Sequence, residues 1–265
     1  MMNIENKQTL NFPKKQELVM IQILINLEGQ TPEQKAELFF LQGVLYESAQ
    51  EYTEAIASYD KALEIKPDYH ESWNNRGNAL VNLGRLSEAI ADYDKALEIK
   101  PDKHESWYNR GIALDDLGRF EEEIADYDKA LEIKPNYHEA WNNRGIALGN
   151  LGRLEAAIAS FDKALELKPD YHEAWNNRGI ALANLGRWEE AIASCDKALE
   201  FKPDYHPAFY NKACCYALHS QIDQAIHNLQ QAINLNPDNW REMAKTDSDF
   251  DSIRSHPQFQ TLIQG

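Results

Sequence analysis

Pro67, Pro101, Pro135, Pro169, Pro203 and Pro237 stand 34 residues apart, and that interval governs most of the chain. Trp73, Trp107, Trp141 and Trp175 keep the same spacing, with Phe39 before them and Phe209 after. Gly43, Gly77, Gly111, Gly145 and Gly179 follow these aromatics, and Ala62, Ala96, Ala130, Ala164, Ala198 and Ala232 precede the prolines. Segments 138–171 and 172–205 differ at five of 34 positions, so the period is no accident of composition. Counted from Ala36, six units fill 36–69, 70–103, 104–137, 138–171, 172–205 and 206–239. A fixed period of this length means supersecondary units that bury their faces only by stacking on neighbours.

Within a unit the pattern predicts two helices. Trp141, Gly145 and Leu148 recur at helical spacing, and Gly152 follows as a residue suited to a left-handed helix end. Ala157, Phe161, Ala164 and Leu165 mark the inner face of a second helix, which stops before Pro169. Small residues at unit positions 8, 20 and 27 let the helices approach, and aromatics at 4 and 24 fill the space beside them.

The pattern W-x-x-x-G-x-x-L/Y followed by A-x-x-x-Y/F-x-x-A-x-x-x-x-P resembles the tetratricopeptide repeat (TPR) family over about three quarters of the chain. The resemblance implies an all-α fold, a right-handed superhelical solenoid of antiparallel helix pairs with a concave groove lined by the first helices. Two positions depart from the family pattern. Arg76, Arg110, Arg144 and Arg178 replace an aliphatic residue at position 7, and a structural arginine bonded to a carbonyl or carboxylate is expected there. Glu123 replaces the alanine of position 20, and pairing with Arg110 or Arg144 would offset its burial.

Both ends have helical patterns of their own. Residues 1–35 hold the apolar stretch Leu18–Leu27, too short to span a bilayer and followed by no small-residue cleavage site, so a capping helix is expected. Thr31, Pro32 and Gln34 have the form of a capping box opening the next helix. Residues 240–265 are expected to close the array, with Phe250, Ile253, Phe259 and Leu262 turned inward.

Charge narrows the partners. With 27 basic and 43 acidic residues the chain carries −16, which disfavours nucleic acid and acidic membrane surfaces. Units one and three hold −5 each. Three cysteines make no disulfide framework, so a reducing, cytoplasmic setting is expected. No phosphate loop, nucleophile elbow or metalloprotease motif is present, so no catalytic residue, metal or cofactor is expected. Cys195, Cys214 and Cys215 read as packing residues. His70, His104, His138, His172 and His206 form a column at position 1, but neighbours about 10 Å apart cannot share one metal; solvent-exposed histidines are expected.

The resemblance places partner contacts at positions 2, 5, 6, 9, 12 and 13. Position 6 is Asn75, Asn109, Asn143, Asn177 and Asn211, a column that resembles the asparagine ladder of the TPR superhelix in O-GlcNAc transferase, which holds an extended peptide by its backbone. Asn74, Tyr108, Asn142, Asn176 and Tyr210 flank it at position 5; Ile112, Ile146 and Ile180 add apolar contact, and Glu105 and Asp116 add acid. The lysines and arginine with which TPR cochaperones clamp acidic chaperone tails are missing, so a neutral or basic segment is the expected partner. The expected function is a non-catalytic protein-interaction adaptor, with a self-associating solenoid or a regulatory or assembly subunit of an enzyme complex as alternatives.

Overall fold

A computed structural model describes residues 12–264. Among them are fifteen α-helices, one 3-10 turn and no strand, and the chain divides into two compact bodies, Met1–Lys134 and Pro135–Gly265. The first holds α1 (Phe12–Asn26), α2 (Pro32–Ser48), α3 (Tyr52–Ile65), α4 (His70–Asn82), α5 (Leu86–Ile99), α6 (His104–Asp115) and α7 (Phe120–Ile133). The second holds α8 (His138–Asn150), α9 (Leu154–Leu167), α10 (His172–Asn184), α11 (Trp188–Phe201), α12 (His206–Leu218), α13 (Ile222–Leu235), α14 (Pro237–Thr246) and α15 (Pro257–Gln264). Within each body successive helices pack on one another, pair upon pair, as an all-α repeat solenoid requires.

The recurring residues explain one another. Gly145 lets α8 approach α9 so closely that a Cβ there would lie 2.6 Å from the Phe161 ring. The indole of Trp141 donates to the Pro135 carbonyl at 2.9 Å, and Trp73, Trp107 and Trp175 do the same to Pro67, Pro101 and Pro169. Proline therefore ends one helix and leaves a carbonyl that the next tryptophan uses. Tyr59, Tyr93 and Tyr127 at position 24 are fully buried, each worth roughly 1.5–3 kcal/mol of transfer free energy.

The turn between paired helices needs a left-handed residue. Gly152 has φ 72° and Gly186 φ 74°, while the first and sixth repeats use Gln50 at 62° and Ser220 at 59°. At the front, Thr31 Oγ1 accepts from the Gln34 N–H at 3.2 Å and Gln34 Oε1 accepts from the Thr31 N–H at 2.9 Å, a complete capping box. At the far end α14 packs on α13, and Phe250 and Ile253 are buried together with Phe259 and Leu262 of α15 and with Trp240 and Ala244. Tyr210 stacks on Trp240 with centroids 4.4 Å apart and donates to Asp247 at 2.7 Å, fastening this tail to α12.

Candidate protein-interaction surface

The arginine column sits under the surface and organises it. Arg76 grips Asp92 with two hydrogen bonds, 2.7 and 2.6 Å, and also reaches Asp60. Arg110 does the same to Asp126, at 2.8 and 2.6 Å, and reaches Asp94. In the second body Arg178 donates to Asp162 and to the Ser194 hydroxyl, both at 2.7 Å. Burial works against the charge of Arg76 but the Asp92 hydrogen bonds and charge outweigh it, so its pKa is raised. Arg76, Arg110 and Arg178 thus each tie a first helix to the second helices before and after it, the structural role expected from the sequence.

The asparagine column is partly spent on the fold. Asn109 Nδ2 donates to Asn74 Oδ1 at 3.3 Å and to Asn78 Oδ1 at 3.1 Å. Asn177 donates to Asn142 at 3.2 Å and Asn211 to Asn176 at 2.8 Å. Asn75 and Asn143 accept from Asn74 and Asn142 of their own helices at 3.1 and 3.2 Å. Position 6 of the third, fifth and sixth repeats is therefore bridged to position 5 of the repeat before it. Asn142 and Asn176 are only 4% exposed, so they act as struts behind the surface and not on it. Tyr210, just as buried, serves the tail, and half-buried Tyr108 leans on Tyr127 with centroids 5.7 Å apart. Asn74 accepts from Ser106 at 2.9 Å as well as from Asn109. Asn74, Asn142 and Asn176 thus accept from the next first helix and support the stack, Tyr210 supports the tail, and Tyr108 packs within its own repeat.

What remains open is a repeated slot. In the second body a cleft of ≈ 220 Å³ is lined by Ile146, Gly149, Asn150, Asn177, Ile180 and Asn184, with Leu154 at its edge. A neighbouring cleft of ≈ 330 Å³ uses their counterparts one repeat on: Ile180, Ala183, Asn184, Asn211, Cys214 and Trp188, joined by Asp249. Ile180 belongs to both and is 40% exposed. Ile112 is half-buried on α6, Glu105 is exposed in the first turn of that helix, and Asp116 is exposed at its C-cap. Positions 12 and 13, which the resemblance names, line the slots together with the first residue of the second helix, Leu154 or Trp188, which it does not.

Glu123 is the anomaly of the third repeat. It is 1% exposed, its Oε2 has no hydrogen-bond partner, and burial, then the charge of Asp115, push its pKa up to about 8 despite a bond with Tyr127. The expected pairing with Arg110 does not form, because Asp126 and Asp94 occupy that guanidinium.

The histidines are not solvent-exposed as expected. They are half-buried because His138 and His172 present their rings to Tyr171 and Tyr205, at 5.3 and 4.8 Å, and His206 accepts from the Trp240 indole at 3.0 Å. The cysteines are buried free thiols, and burial raises the pKa of each. Cys214, Asp247 and Asp249 hold three donor atoms within 4.8 Å, a spacing a cation could use. Here Asp247 is engaged by the Tyr210 hydroxyl and by the N–H of Asp249, which anchors the tail. No helix among the described residues is long and apolar enough to cross a membrane.

Comparison with known proteins agrees with this architecture. Residues 71–138 and 142–206 match the family described as tetratricopeptide repeat; 43–84 match TPR repeat, and 194–227 a further tetratricopeptide repeat description. No curated protein matches. Among solved structures, YrrB, a TPR protein with an unusual peptide-binding site, is 28% identical; the match covers 71% of this chain and 98% of that chain with a TM-score of 0.59. PilW, a type IV pilus biogenesis factor, is 22% identical over 83% of this chain and 98% of its own, with a TM-score of 0.69. MamA from Desulfovibrio magneticus RS-1 is 18% identical over 67% of this chain and 97% of its own, with a TM-score of 0.59. The last two similarities show the fold alone.

Proposed function

This chain belongs to the tetratricopeptide repeat family, and from that premise we propose that it is a non-catalytic adaptor whose repeat surface takes up an extended, neutral or basic segment of another protein. The observation that carries the reading is the slot that recurs one repeat apart, first with Ile146, Asn177 and Ile180, then with Ile180 and Asn211. Equivalent helices in stacked repeats lie about 10 Å apart, roughly three residues of extended chain. A segment with apolar side chains at that interval could fill successive slots.

The asparagines take a narrower part than a free ladder would. One amide N–H of Asn177 and of Asn211 is used within the fold; a carboxamide has a second N–H and a carbonyl with two lone pairs. Those groups suit a peptide backbone, which offers one donor and one acceptor per residue. Charge selects among segments. Asp249 lines the second slot, no lysine or arginine lines either, and Glu139 and Glu173 stand half-exposed at the starts of α8 and α10. YrrB, whose structure carries a peptide-binding site, makes peptide capture a sensible first test.

Immobilised peptide arrays that vary apolar spacing and net charge provide that test, with wild type beside Ile180→Lys. The Ile180 side chain makes no hydrogen bond, so the substitution spares the struts. Capture of neutral or basic peptides, weakened about tenfold or more by Ile180→Lys with unchanged helicity, is the expected result. Preference for acidic peptides would reverse the charge argument, and equal capture by both proteins would place the site elsewhere.

A further inference from the structure

Arg241 is a cation without a counter-charge. Arg76, Arg85, Arg110, Arg119, Arg178 and Arg187 each hold a carboxylate, and Arg254 holds Asp251. Half-buried Arg241 holds none: neither Asp238, one turn earlier on α14, nor Asp223 on α13 forms an ion pair with it. Its one hydrogen bond runs from Nε to the Leu262 carbonyl at 3.3 Å. Leu262 lies in the last turn of α15, where carbonyls lack a helical partner, so that bond has a structural purpose. It accounts for Nε alone. Nη1 and Nη2 are left with N–H groups that meet nothing in the fold, on a planar fork that the Leu262 contact holds in place.

The guanidinium lines a cleft of ≈ 620 Å³ formed by α13, α14 and α15, a size usual for ligand pockets. Gln258 and His227 also line it, both exposed, and neither side chain has a hydrogen-bond partner in the fold. Gln230 donates to Asn234 and Thr261 to the Pro257 carbonyl, at 2.8 and 3.0 Å, so their donors are engaged. Ile226 and Leu262 give the cleft an apolar wall. We propose that it binds a carboxylate carried on an apolar residue, with Arg241 as the anchor and Gln258 and His227 as further donors. Two parallel N–H groups of a guanidinium match the two oxygens of a carboxylate. A dianion such as phosphate fits less well. Asp223, which belongs to the first turn of α13, also lines the cleft and offsets its single fixed positive charge, so directional bonds count for more than net charge. The cleft shares no residue with the slots between repeats. The neutral or basic segment proposed for those slots is a separate occupant, and either proposal can fail alone.

A nuclear magnetic resonance titration of the full chain tests the proposal. The probe is acetyl-Ala-Ala-Leu with a free carboxylate, beside its C-terminal amide; acetyl-Ala-Glu-Leu-amide supplies the carboxylate from a side chain. A carboxylate peptide should bind with a dissociation constant of about 0.1–1 mM and shift the signals of His227 and Gln258 first. Stronger binding of the free acid assigns the ligand to a chain end, and stronger binding of the glutamyl peptide to an acidic side chain. The carboxylate-free amide should bind about tenfold more weakly than either. Gln258→Glu sets a negative charge in the cleft on an exposed side chain without a partner, so the fold is spared; it should weaken the carboxylate peptide about tenfold. Arg241→Lys keeps the charge but loses the fork, and should weaken it about fivefold to tenfold. Equal binding of acid and amide overturns the proposal, as does an affinity unmoved by Gln258→Glu. Shifts gathered at Asn177 and Ile180 instead, or inorganic phosphate bound more tightly than either carboxylate peptide, overturn it too. So does the absence of shifts at about 10 mM peptide, which would leave Arg241 with its bond to Leu262 alone.

Discussion

Repeats two and three hold their arginine differently from repeats four and five, although the arginine and its tryptophan are the same. Asp92 and Asp126 occupy position 23 in the first pair, Ser160 and Ser194 in the second, and all four are buried. With aspartate, the guanidinium is gripped by two bonds and lies 4.5 or 4.7 Å from the Trp73 or Trp107 ring centroid. With serine, it makes one bond to that position, and the distance to Trp141 or Trp175 opens to 5.7 or 5.9 Å. The fold accepts both, so the buried carboxylate is not needed to seat the arginine. What differs is the cost of losing the partner. A buried aspartate without its arginine is an unpaired charge, whereas a buried serine still donates to the carbonyl one turn back, as Ser194 does to Glu190 at 2.9 Å.

The largest expected effect follows from that contrast. Arg76→Met should cost about 3–5 kcal/mol, because Asp92 is stranded in a place where burial already pushes its carboxyl upward against the pull of Arg76. Arg178→Met should cost about 1–2 kcal/mol, since Asp162 is half-exposed and Ser194 is neutral. Urea unfolding of the two variants measures the difference. Equal losses would break the comparison; recovery in Arg76→Met/Asp92→Ser would sharpen it, by showing that the stranded carboxylate carries the cost.

A second contrast sets Glu123 in the third repeat against Ala157 in the fourth, both buried at position 20. Glu123 has a folded-state pKa of about 8, above the 4.5 of an exposed glutamate. The sign follows: the protonated acid is the form the fold tolerates, so the wild type loses stability as pH rises from about 4.5 to 8 and no further beyond. Glu123→Ala should therefore stabilise the protein by about 2–4 kcal/mol at pH 9 and by much less at pH 4. Melting temperatures across that range check it, and a gain independent of pH would mean that the side chain is held by something other than its burial.

The 34-residue period made the architecture legible because it records contacts made within one repeat and with the next. Gly145 and Phe161 recur for their mutual approach, and Trp141 and Pro135 for one hydrogen bond. The position-7 arginines could be read as structural for the same reason: a charge recurring on a buried face must meet another. Position 5 could not be sorted that way. Asn142 and Asn143 look equivalent as letters, yet the first is buried against the following repeat and the second is half-buried; only the rotation between stacked pairs decides which. The slots were half visible for a similar reason: Ile180 and Asn177 lie on a first helix, whereas Leu154 and Trp188 come from second helices outside the groove template. Glu123 was conspicuous as a departure, but its neighbour was not, since the arginine that might have met it was already claimed by aspartates recurring with it.

A smaller effect separates the fourth and fifth repeats. A methyl group on Gly145 would meet the Phe161 ring at 2.6 Å, while on Gly179 it would meet the smaller Cys195 sulfur at 2.9 Å. Gly145→Ala should cost about 2–3 kcal/mol and Gly179→Ala about 1–2 kcal/mol, the ring being the harder of the two to displace. Chemical denaturation gives both values, and a Gly179→Ala loss as large as that of Gly145→Ala would mean that the Ala191 carbonyl, 3.2 Å away, sets the limit in place of the side chain.

The smallest effect lies on the outer surface. Arg85 holds Glu88 through two hydrogen bonds at 2.8 and 2.6 Å, and Arg119–Glu122 and Arg187–Glu190 repeat the arrangement. The bonds are as short as those of the buried Arg76–Asp92 pair, so geometry alone would rank the two alike. Water makes the difference: both partners of the outer pair are solvated before and after they meet, and holding two long side chains together costs entropy. Ala156 stands where these repeats have glutamate, and the fourth repeat folds without that pair. Glu88→Ala should leave the melting temperature within about 1 °C of wild type, at low salt and high. A larger, salt-sensitive drop would show that the outer glutamates help hold the inner arginines, since Glu88 is drawn by the charge of Arg76.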